Sequence, residues 1–411
     1  MSISQELIDW NRELRLDDPY FYVNDNRALF QRMQREVPVF WYEPGQFWAI
    51  TKYNDIRTLM QDPAALSNTK GTLINSRGDD WAENYLAKSG RRTLVFTDPP
   101  EHTQLKSALL QLLSPRKIRA MQEHMEQVIH EVLDKAPKHT PFDFAEDFAG
   151  RLPADVVASL IDVPSDIYPK FFAWAQATRD STEFSETTDW DAITRTLEEM
   201  HAYFKAFVTE RRAQPGDDFV SGLLAIEVNG IKLSDEWILG LCGTLVSGGY
   251  ESAKSFIMSA ANILFEHQDQ RQLLIQNPEL WPSAMDELFR FIAPSNGVAR
   301  YVLKDINVRG VTIRKGQWIV FLLGAGNVDE DIWPNALDLD LQRPPKAVTT
   351  FGAGPHLCIG NILARIECRL ALRILLERFP RYKVVGNPQR RPSVLSNSFN
   401  AMPVILAPLD A

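Results

Sequence analysis

Phe351-Gly352-Ala353-Gly354-Pro355-His356-Leu357-Cys358-Ile359-Gly360 decides how the rest of this chain is read. It sets one cysteine in a glycine-rich loop that runs straight into an apolar-periodic stretch, Asn361 to Phe379, which reads as a helix. Gly352, Gly354 and Gly360 admit backbone conformations closed to other residues and let another group come close, while Pro355 stiffens the loop between them. Leu357 and Ile359 shield the sulfur from water. The helix opening after Gly360 turns its positive end and unpaired N–H groups back toward the loop, which favours a thiolate. A soft, shielded thiolate with donors near its sulfur suits an iron ligand better than a disulfide partner. The loop alone leaves two other readings open: a small buried hydrophobe, or a nucleophile paired with the nearby His356.

Phe351, Gly352, Gly354, His356, Cys358 and Gly360, continued by Leu363-Ala364-Arg365, resemble the haem-binding signature of the cytochrome P450 family. Composition sets the bounds within which that resemblance is weighed. A chain of 411 residues with 45% hydrophobic content can bury a large core. Its formal charge of −9 and pI of about 5.4 repel nucleic acid and anionic membrane surfaces, so neither is expected as a partner. Cys242, Cys358 and Cys368 form no metal-ligand spacing, and their odd number points to a reducing, cytoplasmic compartment without disulfides. No basic N-terminal region precedes an apolar run, and no apolar stretch approaches about 18 residues, so a soluble, unprocessed protein without a membrane anchor is expected.

Working back from the loop, Ser234 opens a helical pattern that continues to about His267, roughly 50 Å of helix and long enough to cross the molecule. Ser247-Gly248-Gly249-Tyr250-Glu251-Ser252 stands in its middle. Two adjacent glycines in a helix cost about 1 kcal/mol each relative to alanine, so something presses on the backbone there or needs the space. Positions 241, 245, 248 and 252 share one helix face. The stretch resembles the family's central-helix signature, in which a glycine pair makes room for dioxygen and an acid–alcohol pair, here Glu251 and Ser252, relays protons. Ser252 stands where the family usually has threonine; it keeps the hydroxyl and loses the methyl that restricts rotamers.

Further matches come in the family's order. His102 and Lys106, four apart in a proline-stiffened helix entry, lie on one face. By residues alone this is a charged surface helix; by the resemblance the pair faces a haem propionate, with Lys106 giving a point charge where arginine is usual. Glu287 and Arg290 form a same-face pair that the resemblance joins to Arg343 as a structural triad behind the cysteine loop. Arg300 corresponds to a propionate-binding arginine. The cofactor-binding set implied is therefore His102, Lys106, Gly248, Gly249, Arg300, Phe351, His356, Cys358 and Gly360, with Cys358 as the metal ligand. The implied pocket is the loop from Leu73 to Tyr85 together with Leu241, Leu245, Asn296, Val298, Asn397 and Phe399, although Asn296 and Asn397 could equally satisfy turn backbone.

Elsewhere helices are expected at Asn26 to Val37, Asn54 to Gln61, Lys117 to Leu133, Phe144 to Ile161, Ser165 to Ala177, Asp189 to Arg212 and Trp281 to Phe291. Val39–Tyr42 and Phe47–Thr51 read as a hairpin, and Pro63 to Thr93 as a long loop. No linker or internal repeat divides residues 1–411. The fold class expected is mainly α with small β-sheets: one triangular domain of the cytochrome P450 type, its long central helix over a b-type haem. The implied activity is a haem-thiolate monooxygenase that hydroxylates a hydrophobic small molecule, of terpenoid, steroid or fatty-chain type, using dioxygen, two electrons and two protons. A thiolate ligand favours O–O cleavage. No flavin or nicotinamide fingerprint is present, so electrons come from a ferredoxin or flavodoxin-like donor with its own reductase, with Arg116-Lys117 and Arg365 as candidate docking residues. The alternative is a haem-thiolate protein outside monooxygenation: a peroxide-driven enzyme, a dehydratase, or a haem sensor or carrier.

Overall fold

Apolar residues recurring every three or four positions make helix follow helix through most of this chain. The computed structural model describes residues 9–75, 77, 93–181 and 188–408. Helix α1 (Arg27–Glu36) buries Phe30 and Met33 and delivers the chain into a hairpin, β1 (Val39–Tyr42) and β2 (Phe47–Ile50), paired in register from Val39 with Ile50 to Tyr42 with Phe47. Helix α2 (Tyr53–Met60) and a two-residue strand, β3 (Leu66–Ser67), follow. Trp81, Tyr85 and Leu86 of the long loop lie outside the described residues.

Helix α3 (Glu101–Leu112) leads into the stretch read as one helix from Lys117, which is instead two. Pro115–Ala120 ends in a tight turn at Met121, whose N–H reaches the carbonyls of Lys117 and Ile118, and α4 (Gln122–Lys135) starts afresh. The next helix begins as a π turn, Ala145–Gly150, before α5 (Arg151–Ile161). Pro153 has no N–H to offer the carbonyl four residues back, and the preceding turn widens. Helices α6 (Tyr168–Asp180) and α7 (Trp190–Ala213) complete this layer.

Helix α8 (Asp235–Glu266) runs through the molecule and packs against α5, α6 and α7. Ser234 occupies its N-cap position in extended conformation, but its hydroxyl makes no capping bond, so the first turn relies on Asp235 and Glu236 against the helix dipole. Helix α9 (Trp281–Ile292) ends at Ala293, and β4 (Gly297–Val302) and β5 (Trp318–Leu322) enter the main sheet in the order β1-β2-β5-β4-β3. Strand β5 is parallel to β2 and antiparallel to β4. After the cysteine loop, α10 (Asn361–Arg378) packs back on α8 and α4. The architecture is mainly α-helical with small sheets and one long central helix, as the sequence reading expects. No helix among the described residues is long and apolar enough to cross a membrane.

Candidate active site

The cysteine loop is held from three sides. Gly352 and Gly354 adopt φ of +71° and +67°, the left-handed region that a side chain resists, and this folds the loop so that the Cys358 N–H donates to the Phe351 carbonyl at 2.9 Å. Phe351 packs on Phe289 of α9 with ring centroids 4.8 Å apart, and Phe289 stacks on Phe256 of α8 at 3.8 Å, so aromatic rings tie the loop to the central helix. Glu287 accepts two bonds from Arg290, each 2.7 Å, and one from Arg343 at 3.2 Å. Arg290 also donates to the carbonyls of Asn327, Ala336 and Asp338, which fastens the segment leading to the loop. On the other flank the Lys106 ammonium donates to the Pro355 and Leu357 carbonyls at 2.5 and 2.6 Å.

The Cys358 thiol is surrounded by the molecule yet exposed to a cavity of about 1370 Å³ between the loop and α8. Burial pushes its pKa up, opposed by the Gly360 N–H and the Lys106 charge. The Gly360 N–H at the start of α10 acts in the direction the sequence reading expects, toward the thiolate, and desolvation acts against it.

One corner of the cavity gathers cationic and donor groups with little to oppose them. His102 and His356 lie with ring centroids 3.9 Å apart. Burial and the neighbouring Lys106 charge push His102 down to about 4. Burial together with His102, Arg300 and Lys106 pushes His356 down to about 2. Arg300, on β4, is buried and pushed down to about 10, and it donates to its neighbour's carbonyl on Ala299. Among the described residues the buried Nδ1 of His102 has no hydrogen-bond partner. Asp98 is the acid of this corner, and its oxygens accept from Ser67 and the Asn68 N–H.

On α8 the two glycines differ. A Cβ at Gly248 would meet nothing within 4 Å, whereas one at Gly249 would lie 2.6 Å from Val157 Cγ2. Gly248 leaves cavity space and Gly249 admits α5. The Ser252 hydroxyl donates to the Gly248 carbonyl at 3.2 Å. Glu251 lies 3.5 Å from Arg179 and accepts from the Ser396 hydroxyl at 3.4 Å. Burial works against the Arg179 guanidinium, but Glu251 and Asp180 carry it above its ordinary range.

Of the residues expected at the pocket, Leu73, Leu245 and Val298 line the cavity. Leu241 does not: it is buried in the core between α8 and its neighbours, because the cavity follows the face through 240, 244 and 248. Asn296 donates to the Ser393 carbonyl, and Asn397 donates to the Ile292 carbonyl and accepts from Arg390, the backbone role left open for both; Phe399 is buried in the core and is corrected. Arg365 is tied to Asp286 and lies over the Phe351 ring, while Arg116 and Lys117 are exposed. Sequence reasoning missed Arg179, Ser396 and Glu367. Only Glu367 left a signal, an acid four residues after Leu363 on the apolar face of α10; it lines the cavity wall, and its Oε1 has no hydrogen-bond partner among the described residues.

A family model described as Cytochrome P450 matches residues 165–394. Mycinamicin IV hydroxylase/epoxidase of Micromonospora griseorubida is 31% identical over 357 residues, covering 85% of this chain and 87% of that protein. The crystal structure of P450BioI in complex with hexadec-9Z-enoic acid ligated acyl carrier protein superposes with a TM-score of 0.84 at 27% identity, covering 94% of this chain and 99% of that one. Epothilone D-bound cytochrome P450epoK shares the fold with a TM-score of 0.87 at 23% identity, covering 94% and 97% of the two chains.

Proposed function

The chain belongs to the cytochrome P450 family of monooxygenases, and on that premise we propose that residues 1–411 form one domain that holds a b-type haem through Cys358 and hydroxylates a large, mainly apolar molecule. Dioxygen is the oxidant, and a ferredoxin or flavodoxin-like protein with its reductase supplies electrons. The observation that carries the proposal is the donor corner. His102, His356 and Arg300 crowd one buried region, where burial and the Lys106 and Arg300 charges depress both imidazoles, and among the described residues the buried Nδ1 of His102 has no hydrogen-bond partner. Two carboxylates supplied by a propionate-bearing ligand would relieve each of these costs. Cys358 stands on the same cavity, with the Gly360 N–H available to its sulfur. The site therefore fits haem.

When bound, haem supplies dioxygen activation and insertion of one oxygen atom into a C–H bond. The chain's own residues do the rest. Gly248 keeps the helix face open, and the Ser252 hydroxyl, held on the Gly248 carbonyl, is placed to pass a proton into that opening. Glu251 is the adjoining acid. Arg179 and Ser396 hold its carboxylate in place next to Ser252, while apolar walls exclude bulk water. Lys106 braces the loop carbonyls on either side of His356, at the position the resemblance gives to a propionate contact. Arg116 and Lys117 are the exposed basic residues offered to an acidic donor protein.

A similar protein named for hydroxylating and epoxidising mycinamicin IV, and another crystallised with a carrier-bound hexadecenoic acid, support a bulky apolar substrate of polyketide, steroid or fatty-chain kind. The test is the absorption spectrum of the reduced protein with carbon monoxide. A strongly red-shifted Soret band that disappears in Cys358→Ala is the expected result; a band at the position of histidine-ligated haem in the unaltered protein refutes the assignment.

A further inference from the structure

The cavity has a direction. Its wall on α8 runs from Ser252 through Gly248, Thr244 and Gly240 to Glu236, one continuous helix face on the order of 25 Å long. Small residues keep this wall low: a Cβ at Gly243 or Gly248 would meet nothing within 4 Å. The facing wall on α7 presents Leu197, Met200 and Phe204 toward the interior. This is a long apolar slot, with the chemistry-bearing groups Cys358 and Ser252 at one end.

The other end is charged. His201 and Lys205, one helical turn apart on α7, stand at the solvent rim opposite the first turn of α8. Asp235 at that rim is engaged by Arg212, with nitrogen–oxygen distances of 2.5 and 3.5 Å, and Glu236 has an interaction of its own. The Lys205 ammonium makes no hydrogen bond or ion pair among the described residues, and its charge acts on Asp235 from beyond contact distance. A cation at the mouth of an apolar slot, with one flanking acid already neutralised, gains most from an anion that brings its own apolar tail.

We infer that the substrate is a long amphipathic anion whose acidic head docks on Lys205 and His201 at the α7–α8 rim, and whose apolar body lies along α8 so that the end remote from the head reaches Cys358. This rests on the monooxygenase reading for which end is oxidised; head-group preference is independent of it.

The test compares tetradecanoate, 1-tetradecanol and tetradecylamine, each below its aggregation limit, binding to the full-length haem-loaded protein by calorimetry. Tetradecanoate is expected to bind on the order of fivefold tighter than the alcohol, the advantage of one partly exposed charge pair. Lys205→Gln should abolish that advantage while alcohol affinity stays within about twofold, and Lys205→Glu should move the preference to the amine. Equal binding of acid and alcohol, tighter binding of the amine by the unaltered protein, or a preference that survives Lys205→Gln overturns the inference. With an electron donor supplied and octadecanoate, whose extended chain matches the slot, oxygenation is expected in the methyl-terminal half of the acid, and oxygenation next to the carboxylate overturns the orientation. A protein lacking the red-shifted carbon monoxide band fails the function proposed above, and the acid–alcohol comparison then still decides the head group.

Discussion

Gly249→Ala and Gly248→Ala add the same methyl group to neighbouring residues of α8, and the structure assigns them different consequences. Each gains about 1 kcal/mol in helix propensity, chiefly through the unfolded chain. At Gly248 nothing offsets that gain, since the new Cβ meets no atom within 4 Å, so Gly248→Ala should be about 1 kcal/mol more stable than the unaltered protein. At Gly249 the methyl would lie 2.6 Å from Val157 Cγ2. Val157 is buried and β-branched, with one strongly preferred rotamer in a helix, so it yields only by strain or by moving α5. Overpacking of this kind costs about 1–3 kcal/mol, which leaves Gly249→Ala about 0–2 kcal/mol less stable. The two variants should therefore differ by about 1–3 kcal/mol in urea unfolding followed by circular dichroism, and adding Val157→Ala should relieve part of the Gly249→Ala loss. Activity should run the other way for Gly248→Ala, whose methyl stands in the space beside Ser252; about a tenfold fall in product formation is expected, or 1.4 kcal/mol. Equal stability of the two variants would refute the division of roles between the glycines.

Glu287→Gln leaves the buried Arg290 and the partly buried Arg343 guanidinium groups without their carboxylate, and it should lower stability by about 3–5 kcal/mol in the same unfolding measurement; a loss under about 1 kcal/mol would mean the cluster is not a brace. Burial raises Glu367 from the ordinary 4.5 to about 8, so the folded chain keeps a proton that the unfolded chain releases. Its contribution is complete below about pH 4.5 and is lost as pH rises toward 8, at up to about 1.4 kcal/mol per unit. Glu367→Gln should flatten that slope between pH 5 and 8, and an unchanged slope counts against a buried neutral acid. Ser252→Ala gives up only a backbone-directed hydroxyl bond, so stability should change by less than about 1 kcal/mol while oxygen consumption continues with much less product. Unchanged coupling of oxygen to product would remove Ser252 from proton delivery.

Local pattern carried far in this chain. The cysteine loop, α8 and the Glu287–Arg290 pair are each legible because the residues that act together are near one another in sequence, and helix periodicity tells which of them share a face. The same periodicity misplaced Leu241, since it identifies a face without saying what lies against it. Phe399 was misplaced for a related reason: a short strand near the C-terminus leaves no periodic signal, and whether its side chain meets cavity or core depends on partners far away in sequence.

The sequence by itself determined the helix-rich class, the family and the cysteine that faces the cavity, because these rest on short-range chemistry: glycine conformations, helix periodicity and fixed spacings. Only the tertiary structure decided that Lys106 braces the loop, that Gly249 admits Val157 while Gly248 leaves open space, that Arg179 and Ser396 hold Glu251, and that the cavity ends at Lys205. Those are contacts between segments tens to hundreds of residues apart, and their energies arise from burial and proximity, which appear only once the helices have packed.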